Sequence, residues 1–237
     1  MLDKIIKEPF FGFDRKALQF LKSLSIKKNN NKEWFDKNRN IYEDFLKKPM
    51  KELIDVLAPE INKIDKEIVV NYKSIFRINR DIRFSKDKTP YKTQYSAAFA
   101  FGRVKTSEVP QFYFHFSHSE FLFAAGQYSM DPVFLKKIRT FIFNNFKEYK
   151  KITSGKLLRK DFGEVQGESL VKLPKDFDRE ITESRDAELE KTLRLKQFYV
   201  FNTMDPEVIL NENFPEIIIN NIRITYDFNK FLYNATK

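Results

Sequence analysis

Between Gln111 and Phe123, phenylalanine returns at every second position. Phe112, Phe114 and Phe116 come first, His118-Ser119 interrupts, and Phe121 and Phe123 follow. A period of two belongs to a strand with one buried face. The short interruption leaves room only for a turn, so the two runs predict an antiparallel hairpin with its phenylalanines on one side. Gln111, Tyr113, His115 and Ser117 fall on the other. Two more runs join this pair. Ile75–Phe84 alternates, with Phe76, Ile78, Arg80, Ile82 and Phe84 on one face and Arg77, Asn79, Asp81 and Arg83 on the other. Tyr95–Val104 carries Ser96, Ala98, Ala100 and Gly102 on one face, small enough for another element to come close.

A sheet with an aromatic face needs a covering layer, and the flanks supply helical patterns. Asp14 has the form of an N-cap before Ala17, Leu18, Leu21 and Leu24. The Asn29-Asn30-Asn31 run ends that helix. Asn30 with Glu33 then reads as a capping box. A long pattern runs from Trp34 and Phe35 through Tyr42, Leu46, Leu53 and Leu57, with Pro49 expected to kink it or to start a second segment. Asp131-Pro132 opens another helix, to about Tyr149. Residues 153–185 are polar and aperiodic, and read as loops with short strands. Ala187–Arg194 reads as helix, Phe198–Phe201 as extended, and Asp205-Pro206 as a helical turn. Ile217–Tyr233 fits strand by propensity and helix by spacing, with helix preferred. Together these predict an α+β chain, a mostly antiparallel sheet with helices packed against it. The expected organisation is one domain over residues 1–237: a helical part to about 65, a sheet core at about 66–128, and a helix-rich part from about 129.

Composition supports a sizeable core, since aromatics make up 16% of the 237 residues and phenylalanine alone contributes 26. The absence of cysteine excludes disulfides and thiolate metal sites. No apolar run reaches the roughly 20 residues that span a bilayer. The first residues also lack the apolar region of a signal peptide. The expectation is a cytoplasmic protein with no membrane partner.

The net charge is +10, and it is densest in Phe76–Lys92, FRINRDIRFSKDKTPYK. There Arg77, Arg80, Arg83, Lys86, Lys88 and Lys92 face only Asp81 and Asp87. This stretch resembles the family known as domain of unknown function 2461. So do Phe11-Gly12-Phe13, Asn30–Phe35 with Arg39 and Tyr42, Pro49-Met50, Gly126 before the Asp-Pro helix start, and Leu173-Pro174 with Phe177-Asp178. Asn79 stands where an aromatic residue is expected. The resemblance implies a soluble domain and supplies no catalytic residue.

Arginine offers a rigid fork of donors suited to carboxylate and phosphate, and lysine a mobile point charge. Arg77, Arg83, Lys86, Lys88 and Lys92, with Tyr91 and Tyr113 beside them, are therefore candidates to bind an anionic small molecule. The competing reading is a lattice of structural ion pairs. Asp81 is placed to orient an arginine. His115 is the candidate general acid or base, with Asp81 second, because imidazole titrates near neutrality. Arg80, on the apolar face, requires a structural ion pair, for which Glu33, Asp36 and Glu43 are candidates. Tyr95 and Tyr113 beside lysines and arginines also fit a nucleic-acid-binding sheet face, and an interaction scaffold is the third possibility. His115-x-x-His118 lacks further ligands for zinc, no phosphate-binding glycine loop occurs, and no cofactor or metal is expected.

Overall fold

The structure is a computed structural model that describes residues 10–102, 108–177 and 186–237. Its α-helices are α1 (Arg15–Ser25), α2 (Lys32–Lys37), α3 (Arg39–Tyr42), α4 (Lys48–Ile64), α5 (Pro132–Asn144), α6 (Phe146–Thr153), α7 (Lys156–Phe162), α8 (Ala187–Leu193) and α9 (Phe214–Asn234). Its strands are β1 (Ile68–Val69), β2 (Tyr95–Phe101), β3 (Gln111–Phe116), β4 (Phe121–Gln127) and β5 (Phe198–Met204). The strands form one antiparallel sheet in the order β1-β2-β3-β4-β5. The α+β class expected from the alternating phenylalanines and helical flanks is the one observed. No described helix is long and apolar enough to cross a membrane.

Two compact units divide the chain. The first is drawn from Met1–Lys105, Tyr113–Phe123 and Thr203–Asn221, the second from Thr106–Phe112, Ala124–Asn202 and Ile222–Lys237.

In the first unit the phenylalanine face is the core. Phe114, Phe116, Phe121 and Phe123 are fully buried. Phe13 meets Phe116 at 4.7 Å between ring centroids, and Phe214 meets Phe121 edge-on at 5.1 Å. The line of rings continues through Tyr95, Tyr42 and Phe35 to Tyr91. Edge-on and offset contacts of this kind add to the burial of each ring. Phe35 is buried as its helical spacing requires, while Trp34 is half-buried against Phe20 at 5.5 Å. Pro49 lies in the first turn of α4, and a π-helical turn at Glu43–Lys47 precedes it. Proline has no N–H to return to the preceding turn, which explains a widened turn there.

In the second unit Phe231 packs on Phe141 at 5.0 Å and on Tyr149 at 5.6 Å. Buried Arg139 donates from Nη2 to the Leu195 carbonyl, 2.8 Å away, just beyond the end of α8. β4 and β5 approach so closely at Gly126 that a Cβ there would lie 2.2 Å from the Phe198 oxygen. Its φ is +129°, a conformation that L side chains rarely adopt.

Three expectations need correction. Ile75–Phe84 is not a strand, and only isolated bridges form, Ile75 with Ala97 and Asn79 with Tyr91. Its supposed apolar face is not a face, since Ile78 is buried while Phe84 is 94% exposed. Side chains within the stretch bond to its own backbone and compete with a ladder, as described below. The cap of α2 is Asn31, whose Oδ1 accepts from the Trp34 N–H at 2.9 Å, one residue later than the capping box placed it. Residues 153–185, read as loops and short strands, contain α7. By contrast, Ile217–Tyr233 is helical, the reading preferred from its spacing, and lies within α9.

Gly126→Ala is expected to destabilise the protein by about 3 kcal/mol or more, combining a left-handed backbone with a backbone clash. Urea unfolding followed by circular dichroism checks this, and a loss below about 1 kcal/mol would mean that the strands separate freely there.

Candidate functional site

Buried Asn30 holds the basic stretch to the helices. Its Oδ1 accepts from the Tyr91 N–H and its Nδ2 donates to the Tyr91 carbonyl, both at 3.0 Å, while Nδ2 also donates to the Leu24 carbonyl at 3.1 Å. Tyr91 is thereby set flat on Phe35, with ring centroids 4.1 Å apart and planes 11° from parallel. Expected to flank a ligand, Tyr91 is instead 6% exposed and part of the core.

From this anchor the chain runs back along itself. The Lys92 N–H donates to the Ile78 carbonyl and the Arg80 N–H to the Pro90 carbonyl, each at 2.8 Å, and the Phe76 N–H donates to the Ser96 carbonyl at 2.9 Å. Three residues lie between the bridged Ile75 and Asn79, but five between their partners Tyr91 and Ala97. The surplus is taken up at Thr93-Gln94, a bulge that turns Gln94 toward Tyr113.

Residues 80–89 form a loop tied from within. The Arg80 guanidinium bonds to the Asp87 carboxylate, the Thr89 hydroxyl, the Thr89 carbonyl at 3.2 Å and Ser85 Oγ at 3.4 Å. Arg80 does have its ion pair, but the partner is Asp87 rather than Glu33, Asp36 or Glu43. The reason is proximity: a tight loop brings Asp87 to the arginine, whereas Asp36 is occupied by Lys32 and Arg39. The Thr89 N–H, then Arg80 and the Thr89 hydroxyl, hold the Asp87 carboxyl down to about 2. Asp81 accepts from Arg83 Nε at 3.0 Å, Nη2 at 2.7 Å and the backbone N–H at 3.2 Å. Arg83, followed by the charge of Arg77, lowers the Asp81 carboxyl. Lys88 Nζ donates to the Ile82 carbonyl at 3.0 Å. Arg77 and Lys86 are exposed. Phe84 projects at the tip, with the Arg83 guanidinium over its ring at 5.7 Å.

Lys92 stands over the Phe76 ring at 5.2 Å, and Phe76 meets Tyr113 edge-on at 6.1 Å. This contact joins the basic stretch to the polar face of β3. Tyr113 receives Gln94 Nε2 at 3.3 Å and faces His115 Nδ1 at 3.2 Å. His115 Nε2 lies 3.4 Å from Glu120 Oε1. The turn at Ser117–Glu120 fixes the glutamate, with Ser117 Oγ accepting the Ser119 and Glu120 N–H groups at 3.1 and 3.2 Å. Burial pushes the His115 imidazole below its ordinary range, against the pull of Glu120, and pushes the Tyr113 phenol up.

The structure thus brings Tyr113 and His115 together and Asp81 to Arg83, while Arg83 and Lys88 bond to the loop's own acceptors. Asp81 lies with the loop, not with His115 in a shared hydrogen-bond set. Gln94 and Glu120 were not singled out from the sequence, and Asn30 was read only as a helix cap. Glu120 had a signal, the turn that returns it beside His115, and Gln94 had none because a bulge leaves no periodic trace. A surface hollow on α2, lined by Lys32, Glu33, Asp36 and Lys37, holds exposed ion pairs one helical turn apart and no convergent donors.

Among comparisons with known proteins, a family model described as conserved hypothetical protein (DUF2461) matches residues 16–231. No curated protein matches the chain.

Asn30→Ala is expected to cost about 3 kcal/mol, because it strands the buried Tyr91 N–H and two carbonyls. Chemical denaturation measures it, and a neutral result would remove Asn30 as the anchor. For Asp87 the sign follows from its depressed carboxyl. Its contribution to stability is fully present above the ordinary value of 3.8 and is lost as pH falls through about 2. Carboxyl NMR should place its midpoint near 2, and Arg80→Ala should raise that midpoint only part of the way, since the Thr89 N–H remains.

Proposed function

We propose that this chain, which belongs to the DUF2461 family of conserved hypothetical proteins, binds an anionic small molecule at its basic loop, a phosphorylated compound first of all. The observation that supports this most is the pinning of the loop by Arg80, whose guanidinium meets Asp87, Thr89 and Ser85 at once. A loop backbone tied internally loses less ordering entropy on binding. Arg77, Lys86 and Lys92 are the residues assigned to the anion. Arg83 joins them by exchanging Asp81, since that pair is open to solvent, with 76% of the arginine side chain exposed. Lys88 holds the loop through Ile82, and Tyr91 supports it from the core.

Tyr95, 2% exposed, and Tyr113, engaged by Gln94 and His115, do not offer the stacking platform on which a nucleic-acid reading depends. The lattice reading draws on the same ion pairs and differs in its outcome with ligand.

The test is thermal unfolding with inorganic phosphate, sulfate and a panel of phosphorylated sugars and nucleotides. A compound that binds the native state raises stability by about 2.7 kcal/mol at one hundred times its Kd. Combining Arg77→Gln with Lys86→Gln should weaken binding by about tenfold or more and leave the ligand-free Tm in place. If no compound on the panel raises the Tm beyond a matched concentration of sodium chloride, the loop is a structural ion-pair lattice.

A further inference from the structure

The polar face of β3 carries a row of hydrogen bonds with one self-consistent set of protons. Glu120 is a carboxylate that only accepts, so the His115 ring proton sits on Nε2 and points to Oε1 at 3.4 Å. Nδ1 of the neutral ring is then an acceptor, and the Tyr113 hydroxyl donates to it at 3.2 Å. Gln94 Nε2 only donates, so the Tyr113 oxygen accepts from it at 3.3 Å. Every bond in the row runs the same way, from Gln94 to Glu120.

The two ends open onto different surroundings. Gln94 sits in the bulge two residues from Lys92, whose ammonium covers the Phe76 ring that abuts Tyr113. At the other end the Glu120 side chain is 42% exposed, while His115 between them is 10% exposed. The ionisable groups bonded to the imidazole are Tyr113 on its own strand and Glu120 in the turn before β4.

We propose that Tyr113, His115 and Glu120 form a proton path that deprotonates a hydroxyl of the anionic ligand held beside Lys92. This rests on the binding reading above and gives it a substrate class: a phosphorylated compound with a hydroxyl near its phosphate. The ligand hydroxyl replaces the Gln94 amide on the phenol oxygen. Its proton passes to Tyr113 as the phenol proton passes to His115 Nδ1, and the Nε2 proton leaves to Glu120 and then to water. The ligand becomes an alkoxide beside the Lys92 ammonium, one proton reaches solvent, and nothing is oxidised or reduced. Burial keeps both rings neutral near pH 7, so each can give and take a proton.

A purely structural row would show the same resting bonds but no dependence of proton exit on Glu120. The experiment is nitrogen-15 histidine NMR on the full chain carrying His118→Gln, since His118 is exposed and outside the row. The expected spectrum at pH 7 is a neutral ring protonated on Nε2. Tyr113→Phe should leave the proton on Nε2, where the Glu120 carboxylate still accepts it, and should shift the Nδ1 resonance as the donor to that nitrogen is lost. Should that variant not fold, Gln94→Ala should keep the Nε2 tautomer. Glu120→Gln should slow exchange of the Nε2 proton with water by at least about tenfold, because an amide cannot relay it. An Nδ1-protonated ring, an imidazolium at pH 7, or exchange unchanged in Glu120→Gln would each overturn the path. Titrating inorganic phosphate into the same samples separates the two readings. Absence of phosphate-induced shifts at Lys92 and Phe76 counts against ligand binding, whereas tautomer and exchange rate report on the path alone.

Discussion

The first unit depends on one side-chain amide. Asn30 meets both the N–H and the carbonyl of Tyr91, as a neighbouring strand would, and reaches back to the end of α1 at Leu24. Buried backbone groups must find partners, and a segment that leaves the sheet needs them from elsewhere. Asn30 supplies them where Thr89-Pro90-Tyr91 enters the core. Tyr91 then stacks on Phe35, and the hairpin-like return of Lys92 to Ile78 and Pro90 to Arg80 follows from that anchor.

The loop beyond the anchor illustrates how local acceptors capture charge. Arg80 would be costly on a buried face without a counter-charge. The chain removes that cost by folding Asp87 and Thr89 around the guanidinium rather than by placing a helix carboxylate there. The bonds from Asp81 to the Arg83 N–H and from Asp87 to the Thr89 N–H consume backbone donors that a ladder would need. The same bonds that abolish the strand tie the loop to itself, and an internally tied basic loop is the feature on which the anion reading rests.

The sheet divides its chemistry between its faces. One side of β3 holds the phenylalanines that build the core, and the other holds Tyr113 and His115. The Thr93-Gln94 bulge and the Ser117–Glu120 turn bring polar partners to that second side from residues distant in the pattern. Each contact satisfies a group whose burial would otherwise be unfavourable, which aligns the row from Gln94 to Glu120.

The sequence alone determined the elements whose period is dictated by burial. Phe112 to Phe123 could only be a hairpin with one apolar face, and the spacing of Leu18, Leu21 and Leu24 or of Leu53 and Leu57 could only be helical, because a slip of one residue would expose every large side chain. It also determined that Arg80 needs a partner and that Tyr113 and His115 share a face. Tertiary structure decided the rest. Ile75–Phe84 carries a strand's alternation but lies outside the ladder, since its side chains satisfy its backbone locally and Asn30 replaces a neighbouring strand. Tyr91 went to the core and not to the loop surface because Phe35 was there to receive it. Gln94 and Glu120 reached Tyr113 and His115 through a bulge and a turn. Pairing across such features depends on where the chain returns in space, and spacing along the chain carries no record of it.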